Sequence, residues 1–146
     1  MKLDILSSPS EGPKRLVVLG GCGGVGRCLV SKAMDQDVEV VVLDLETSLA
    51  NHPVPDGVKG YAVDATDQSS LQAAFGEIQR EWDALDGFVN LCGVVSETKP
   101  LSNFDAKEWQ FTISANLNAA FFAANLALPM LKKGNGGSLV NTTSGL

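Results

Sequence analysis

The chain is poor in the side chains that most often handle protons, metals and nucleic acids. Among its 146 residues there is one histidine, His52, one tyrosine, Tyr61, and three cysteines. Cys22, Cys28 and Cys92 have neither the spacing of a disulfide framework nor that of a zinc site, so no metal centre is expected and a reducing, cytoplasmic compartment is. Cations are outnumbered: 11 Lys and Arg face 17 Asp and Glu, for a net charge of −6. That balance excludes the basic stripe of a phosphate-tracking nucleic-acid binder. No apolar stretch reaches membrane length without a polar residue, and Asp4 interrupts the only apolar group near the start, so neither a membrane partner nor a secretory signal is expected.

Hydrophobic residues make up 45% and charged ones 19%, the balance of a soluble globular domain with a sizeable core. Ser, Pro and Gly crowd residues 7–13, which reads as the end of a flexible leader over 1–13, with a single domain over 14–146. Strands are predicted at Arg15–Gly20, Val38–Leu43, Gly60–Val63, Gly87–Leu91 and Leu139–Thr142, with a turn at 134–137 before the last. Helices are predicted between them. Gly24–Met34 places Val25, Leu29, Ala33 and Met34 on one face. The next long helix starts at the N-cap Asp67 and buries Leu71, Ala74, Phe75, Ile78 and Trp82. Gly76 inside it costs about 1 kcal/mol relative to alanine, which suggests a close packing contact. The mixed stretch holding His52, Pro53 and Pro55 leaves a short helix open. A third long helix, Asp105–Lys133, opens on a capping box of Asp105 and Glu108 and is disturbed near its end by Pro129. Trp109, Ile113, Leu117, Phe121, Ala124 and Leu128 make it apolar on more than one face, so it is expected to meet the sheet and something else. Strand alternating with helix implies a doubly wound parallel sheet covered on both faces, with its ligand crevice at the carboxyl ends of the strands.

Those ends hold the polar residues of interest. Leu16–Leu19 runs into Gly20-Gly21-Cys22-Gly23-Gly24-Val25-Gly26, five glycines within seven positions before a helix. Glycines allow a sharp turn and a close backbone approach, and the amides up to Val25 at the helix start favour an anion. Asp44 closes the second strand, eighteen residues after Gly26. A carboxylate there accepts from two ribose hydroxyls and repels a 2′-phosphate, which predicts NAD over NADP. Asp44 also has a plain reading as a helix cap or surface charge. Cys22, at a helix start where a thiol pKa can fall, is either a redox-sensitive thiol or loop filler. His52 is read as structural, with a role as acid/base the remote alternative.

The Gly20-x-x-x-Gly24-x-Gly26 spacing resembles the loop of the short-chain dehydrogenase/reductase family. Four further segments match in order. Asp64-Ala65 resembles the acidic residue at the end of strand three that meets the adenine. Asn90-Leu91-Cys92-Gly93 resembles the family's Asn-Asn-Ala-Gly segment on the adenosine side. Asn116, in Asn116-Leu117-Asn118-Ala119, resembles the asparagine of the catalytic tetrad. The segment 137–144 resembles the strand ending at the catalytic serine, here Ser144. The departures are Leu19 for a usual Thr, and Leu91 and Cys92 for Asn and Ala. The resemblance implies a Rossmann-type three-layer α/β/α fold with strand order 3-2-1-4-5. It implies an NAD-dependent oxidoreductase that oxidises alcohols or reduces ketones by hydride transfer. It implies Gly20, Gly24, Val25, Gly26, Asp44, Asp64, Ala65, Asn90 and Gly93 on the cofactor, Asn116 supporting a proton relay through a water, and Ser144 on the reacting oxygen. It further implies a small-molecule substrate and a homodimer or homotetramer built on the helix 105–133. Read from their own chemistry, Asn116 is also explained as an amide satisfied by a neighbouring element, and Ser144 as a turn hydroxyl. The family's acid/base pair, Tyr-x-x-x-Lys, is absent from the 146 residues. The expectation is therefore an amino-terminal portion of the fold, incomplete after the fifth strand and inactive alone; the alternative is a non-catalytic NAD-binding or regulatory module.

Overall fold

Branched apolar runs become the centre of the sheet. The structure, a computed structural model, describes residues 12–134 and 136–144. The expected leader lies outside the described residues except for its last two positions, as does Asn135 of the expected turn. Five strands, β1 (Arg15–Leu19), β2 (Glu39–Asp44), β3 (Lys59–Ala62), β4 (Gly87–Asn90) and β5 (Ser138–Asn141), form one sheet in the order β3-β2-β1-β4-β5. Every pairing is parallel. Each strand lies within one residue of its predicted bounds. The helices are α1 (Gly24–Met34), α2 (Glu46–Asn51), α3 (Gln68–Glu81), α4 (Ala106–Ile113) and α5 (Ala119–Lys133). The short helix left open between β2 and β3 is thus present, as α2.

Side chains alternate across the strands, so each strand serves two cores. Val17, Leu19, Val41, Leu43 and Phe88 face α3 and α5, where they meet Leu71, Phe75, Ile78 and Met130. Leu16, Val18, Val40, Val42 and Val89 face the opposite layer, with Val30 and Ala33 of α1. Phe75 and Phe88 are both fully buried, their ring centres 6.0 Å apart. Burial of each contributes about 1.5–3 kcal/mol.

Asp67 caps α3 as predicted, its carboxylate accepting from the Ser69 amide. Of the predicted stripe, Leu71, Ala74, Phe75 and Ile78 are buried, and Trp82 is half-buried at the end of the helix. Asp105 likewise accepts from the Glu108 amide. The Glu108 carboxylate bonds Lys99.

Two expectations are corrected. Gly76 has no close contact: no atom lies within 4 Å of where its Cβ would be. Gly76→Ala is therefore expected to stabilise the fold by about 1 kcal/mol, read as a raised urea midpoint with unchanged slope. The buried face of α1 is Gly26, Val30 and Ala33, while Val25 is 72% exposed. The smaller residue packs because α1 crosses the loop backbone too closely for a side chain at position 26.

The helix over 105–133 is apolar on more than one face, as expected, and the structure adds detail. The helix is continuous but not uniform. Ser114–Asn118 winds as a π-helix between α4 and α5, and Pro129 is accommodated inside α5. The face on the sheet is alanine: Ala119, Ala123 and Ala127 are fully buried. Trp109, Leu117, Phe121 and Leu128 point outward. Small residues let the helix lie close on the strands, so the large apolar side chains are left on the far side. By length and composition Ala106–Lys133 would also suffice to cross a membrane; here its alanine face is part of the core.

Candidate functional site

The strand order reverses between β1 and β4, and the crevice beyond their carboxyl ends is where such sheets bind ligands. Two adjoining cavities open there. The first, of about 490 Å³, is bounded by Gly20, Cys22, Gly23 and Gly24 of the loop, by Asp44, by Asp64 and Ala65, and by Cys92 and Gly93. The second, of about 610 Å³, is lined by Gly93, Val94, Ser96, Asn116, Thr142, Thr143 and Ser144. Leu91, Cys92, Gly93 and Val94 belong to both. Each volume lies in the range of small-molecule and cofactor sites.

The loop has its form because two of its glycines are irreplaceable. Gly20 adopts φ +81°, a left-handed conformation that side chains disfavour, as the chain turns off β1. A Cβ at Gly26 would sit 2.5 Å from the Gly20 carbonyl oxygen and 2.6 Å from that of Gly21. The first turn of α1 is thereby pressed against the loop. Gly24 at the helix start is open, with no atom within 4 Å of a Cβ position. No acidic residue occupies the first turn, and Gly23 gives no side-chain cap. The amide groups at this helix start are thus uncapped by side chains and beside the cavity, a donor set suited to a diphosphate.

Asp44 is more committed than its position in the sequence suggests. One carboxylate oxygen accepts from the Cys22 amide at 2.8 Å, the other from the Leu45 amide at 2.8 Å. Asp44 caps neither α1 nor α2; it ties the glycine loop to the end of β2. A carboxylate offers about four acceptor positions, so two remain for hydroxyl donors in the cavity. Asp64 is exposed at the end of β3, and its Oδ1 accepts from the Thr66 amide and hydroxyl at 2.9 and 2.7 Å. Ala65 is buried beside it.

The remaining candidates divide. Asn90 is 3% exposed and lines neither cavity. Its Oδ1 accepts from the Cys92 amide and its Nδ2 donates to Asn141 Oδ1, so it shapes the turn off β4 and ties β4 to β5 from beneath. Asn116 lies in the π-helical segment. Its Oδ1 accepts from the Val94 amide at 2.9 Å and its Nδ2 donates to the Val94 carbonyl at 3.0 Å. Both ends of the amide are therefore engaged by the loop after β4. Ser144 is exposed on the second cavity, which brings it together with Asn116. Val25 is exposed at the helix start but lines neither cavity.

The lone histidine and tyrosine fall away from Ser144. His52 ends α2 on the first cavity, and Tyr61 is half-buried on the edge strand β3 and lines neither. Of the two readings of Cys22, its surroundings favour loop filler, because the thiol pKa is shifted up and not down. Burial raises it, and the negative charge of Asp44 raises it further. Cys92, with its thiol pushed up to about 11 by burial and then by Asp44 and Asp64, is likewise no nucleophile at neutral pH. Residues that sequence reasoning overlooked are Val94, shared by both cavities, and Ser48, Phe111 and Ala115 on the first. Their only signal was adjacency to strand ends or a place on a helix face that the π segment shifts.

Residues 14–146 match the family described as short chain dehydrogenase. The chain belongs to it. Among curated relatives it is 31% identical over 141 residues to the D-xylose 1-dehydrogenase of Caulobacter vibrioides, covering 91% of this chain and 54% of that protein. It is 28% identical over 137 residues to the 3beta-hydroxysteroid dehydrogenase of Mediterraneibacter gnavus, covering 90% and 49%. The chain thus spans about half the length of the curated relatives it matches. Among solved structures, the ligand-free aldohexose dehydrogenase of Thermoplasma acidophilum superposes with a TM-score of 0.80 at 24% identity, over 90% of this chain and 49% of that one. ElxO, solved with NADP bound, gives 0.81 at 20% identity, over 91% and 56%. Members of this family use NAD or NADP.

Proposed function

We propose that these residues form the dinucleotide-binding part of an NAD-dependent oxidoreductase that interconverts a small alcohol and its ketone. The observation that carries this reading is the first cavity. It lies at the reversal of strand order, with a helix start that no side chain caps on one side, Arg27 of that first turn also on its wall, and a carboxylate with spare acceptor positions on the other. In this reading the amides around Gly24 hold the diphosphate, Asp44 the adenosine ribose, and Asp64 with Ala65 the adenine end. Asn90 and Gly93 shape the floor. The nicotinamide supplies hydride exchange when bound; Ser144 orients the reacting oxygen, and Asn116 supports the proton path from the second cavity.

A second reading is an NAD-binding or regulatory module without turnover: Tyr61, on the edge strand β3, lines neither cavity. Both readings require the same cofactor. Fluorescence titration should show NADH bound at least about tenfold more tightly than NADPH, because a 2′-phosphate would face the Asp44 carboxylate. Asp44→Ala should shrink the difference. Asp44→Asn, which keeps an acceptor for the Cys22 amide, should shrink it without loosening the loop. Equal affinities in the wild type would refute the cofactor assignment. We also propose that the outward face of the helix 106–133 joins copies of the chain into a homodimer or homotetramer.

A further inference from the structure

The segment between β4 and α4 has no regular structure over residues 91–100, yet it is fastened to the helix at three successive points. Val94 meets Asn116 through both backbone groups, at 2.9 and 3.0 Å. Ser96 Oγ meets Thr112 Oγ1 at 2.8 Å. Lys99 pairs with Glu108. The loop positions rise as the helix positions fall, and 108, 112 and 116 recur every four residues, close to one face of the helix. The loop is a strap laid antiparallel along α4 and the π-helical turn.

The middle rung has a fixed direction. Thr112 Oγ1 donates its one hydrogen to the Glu108 carbonyl at 2.9 Å. It can therefore only accept from Ser96, and the chain of donors runs Ser96 to Thr112 to Glu108, each bond strengthening the next. Both hydroxyls are half-buried. The strap leads back to Leu91–Val94, the wall common to the two cavities, while Val95 and Ser96 line the second alone.

We propose that Ser96 and Thr112 are positioning residues: their bond holds the Gly93–Ser96 wall in place and sets the affinity for the half of a dinucleotide that reaches the second cavity, and not for the adenosine half. This rests on the dinucleotide reading above. Val95 and Ser96 line the second cavity and not the first, so the Ser96–Thr112 bond bears on the Ser144 side of the wall. An unfastened wall would have to be ordered at the moment of binding, which lowers affinity.

The test compares NADH with ADP-ribose, which lacks the nicotinamide, by calorimetric titration of the wild type, Thr112→Val and Thr112→Ser. Valine keeps the shape and removes the acceptor. Thr112→Val is expected to weaken NADH about five- to tenfold and to leave ADP-ribose within about twofold. Thr112→Ser should restore NADH. Hydrogen exchange should show faster amides over 94–97 in the valine variant, with those of β1 unchanged. If the wild type binds both ligands and Thr112→Val shifts them equally, or shifts neither, the positioning role is overturned. If the wild type binds neither, the dinucleotide reading itself fails and this one with it.

Discussion

Gly26→Ala is expected to abolish measurable NADH binding and to cost about 2–4 kcal/mol of stability. The new methyl would meet two carbonyl oxygens of the loop at 2.5 and 2.6 Å. Neither is the tip of a flexible side chain, so backbone must move, and overpacking of this kind costs a few kcal/mol. Alanine gains about 1 kcal/mol in helix propensity, which offsets only part of it. The movement falls on Gly20 and Gly21, the residues that turn the chain into the first cavity. Displaced amides no longer converge on one anion, and each 1.4 kcal/mol lost is a factor of ten in affinity. Gly24→Ala separates the two effects. No atom would touch its methyl, so the melting temperature should stay near that of the wild type while NADH binding weakens, because the methyl stands at the mouth of the phosphate cradle. Equal binding by the wild type and Gly26→Ala would remove the loop from the site.

The second large effect is expected in assembly. Leu117 and Phe121 are 61% and 63% exposed on the outward face of the helix, in line with Trp109 and Leu128. Large apolar side chains left exposed one turn apart on a helix suit an interaction face. Light scattering should give the wild type a dimeric or tetrameric mass, and Leu117→Glu with Phe121→Glu should give monomers. Interface anchors of this type carry about 2 kcal/mol or more each, so the dissociation constant should rise by a factor of roughly a thousand for the pair. Neither side chain supports the core, so thermal unfolding of the variant should remain cooperative. A monomeric wild type, or an unchanged mass in the double variant, would end the proposal.

Both predictions turn on where sequence patterns do and do not speak. The strands were legible because branched apolar runs such as Val40–Leu43 have no other stable place than a sheet buried on both sides. The position of Asp44 was legible for the same reason, since it follows such a run. The helix faces were not. Periodicity weighs large apolar residues most, so it placed Val25 on the buried side of α1, and in the helix 105–133 it found apolar residues on more than one face without saying which face meets the sheet. In α1 and α5 the sheet is met by Gly26, Ala119, Ala123 and Ala127, residues chosen for closeness and not for bulk. The commitments of polar groups were also invisible. No spacing rule says that the Asp44 oxygens already hold Cys22 and Leu45, or that both ends of the Asn116 amide are taken up by Val94.

The wide turn at Ser114–Asn118 has a consequence for how this helix tolerates change in length. A π turn holds one residue more than an α turn, which displaces the azimuth of everything before it by about 100° relative to everything after it. Glu108 and Thr112 face the strap, and Ala119 and Ala123 face the strands, only because that phase offset lies between them. The surplus residue works as an angular joint: losing one amino acid here would straighten the helix and turn its first half away from the loop it now holds.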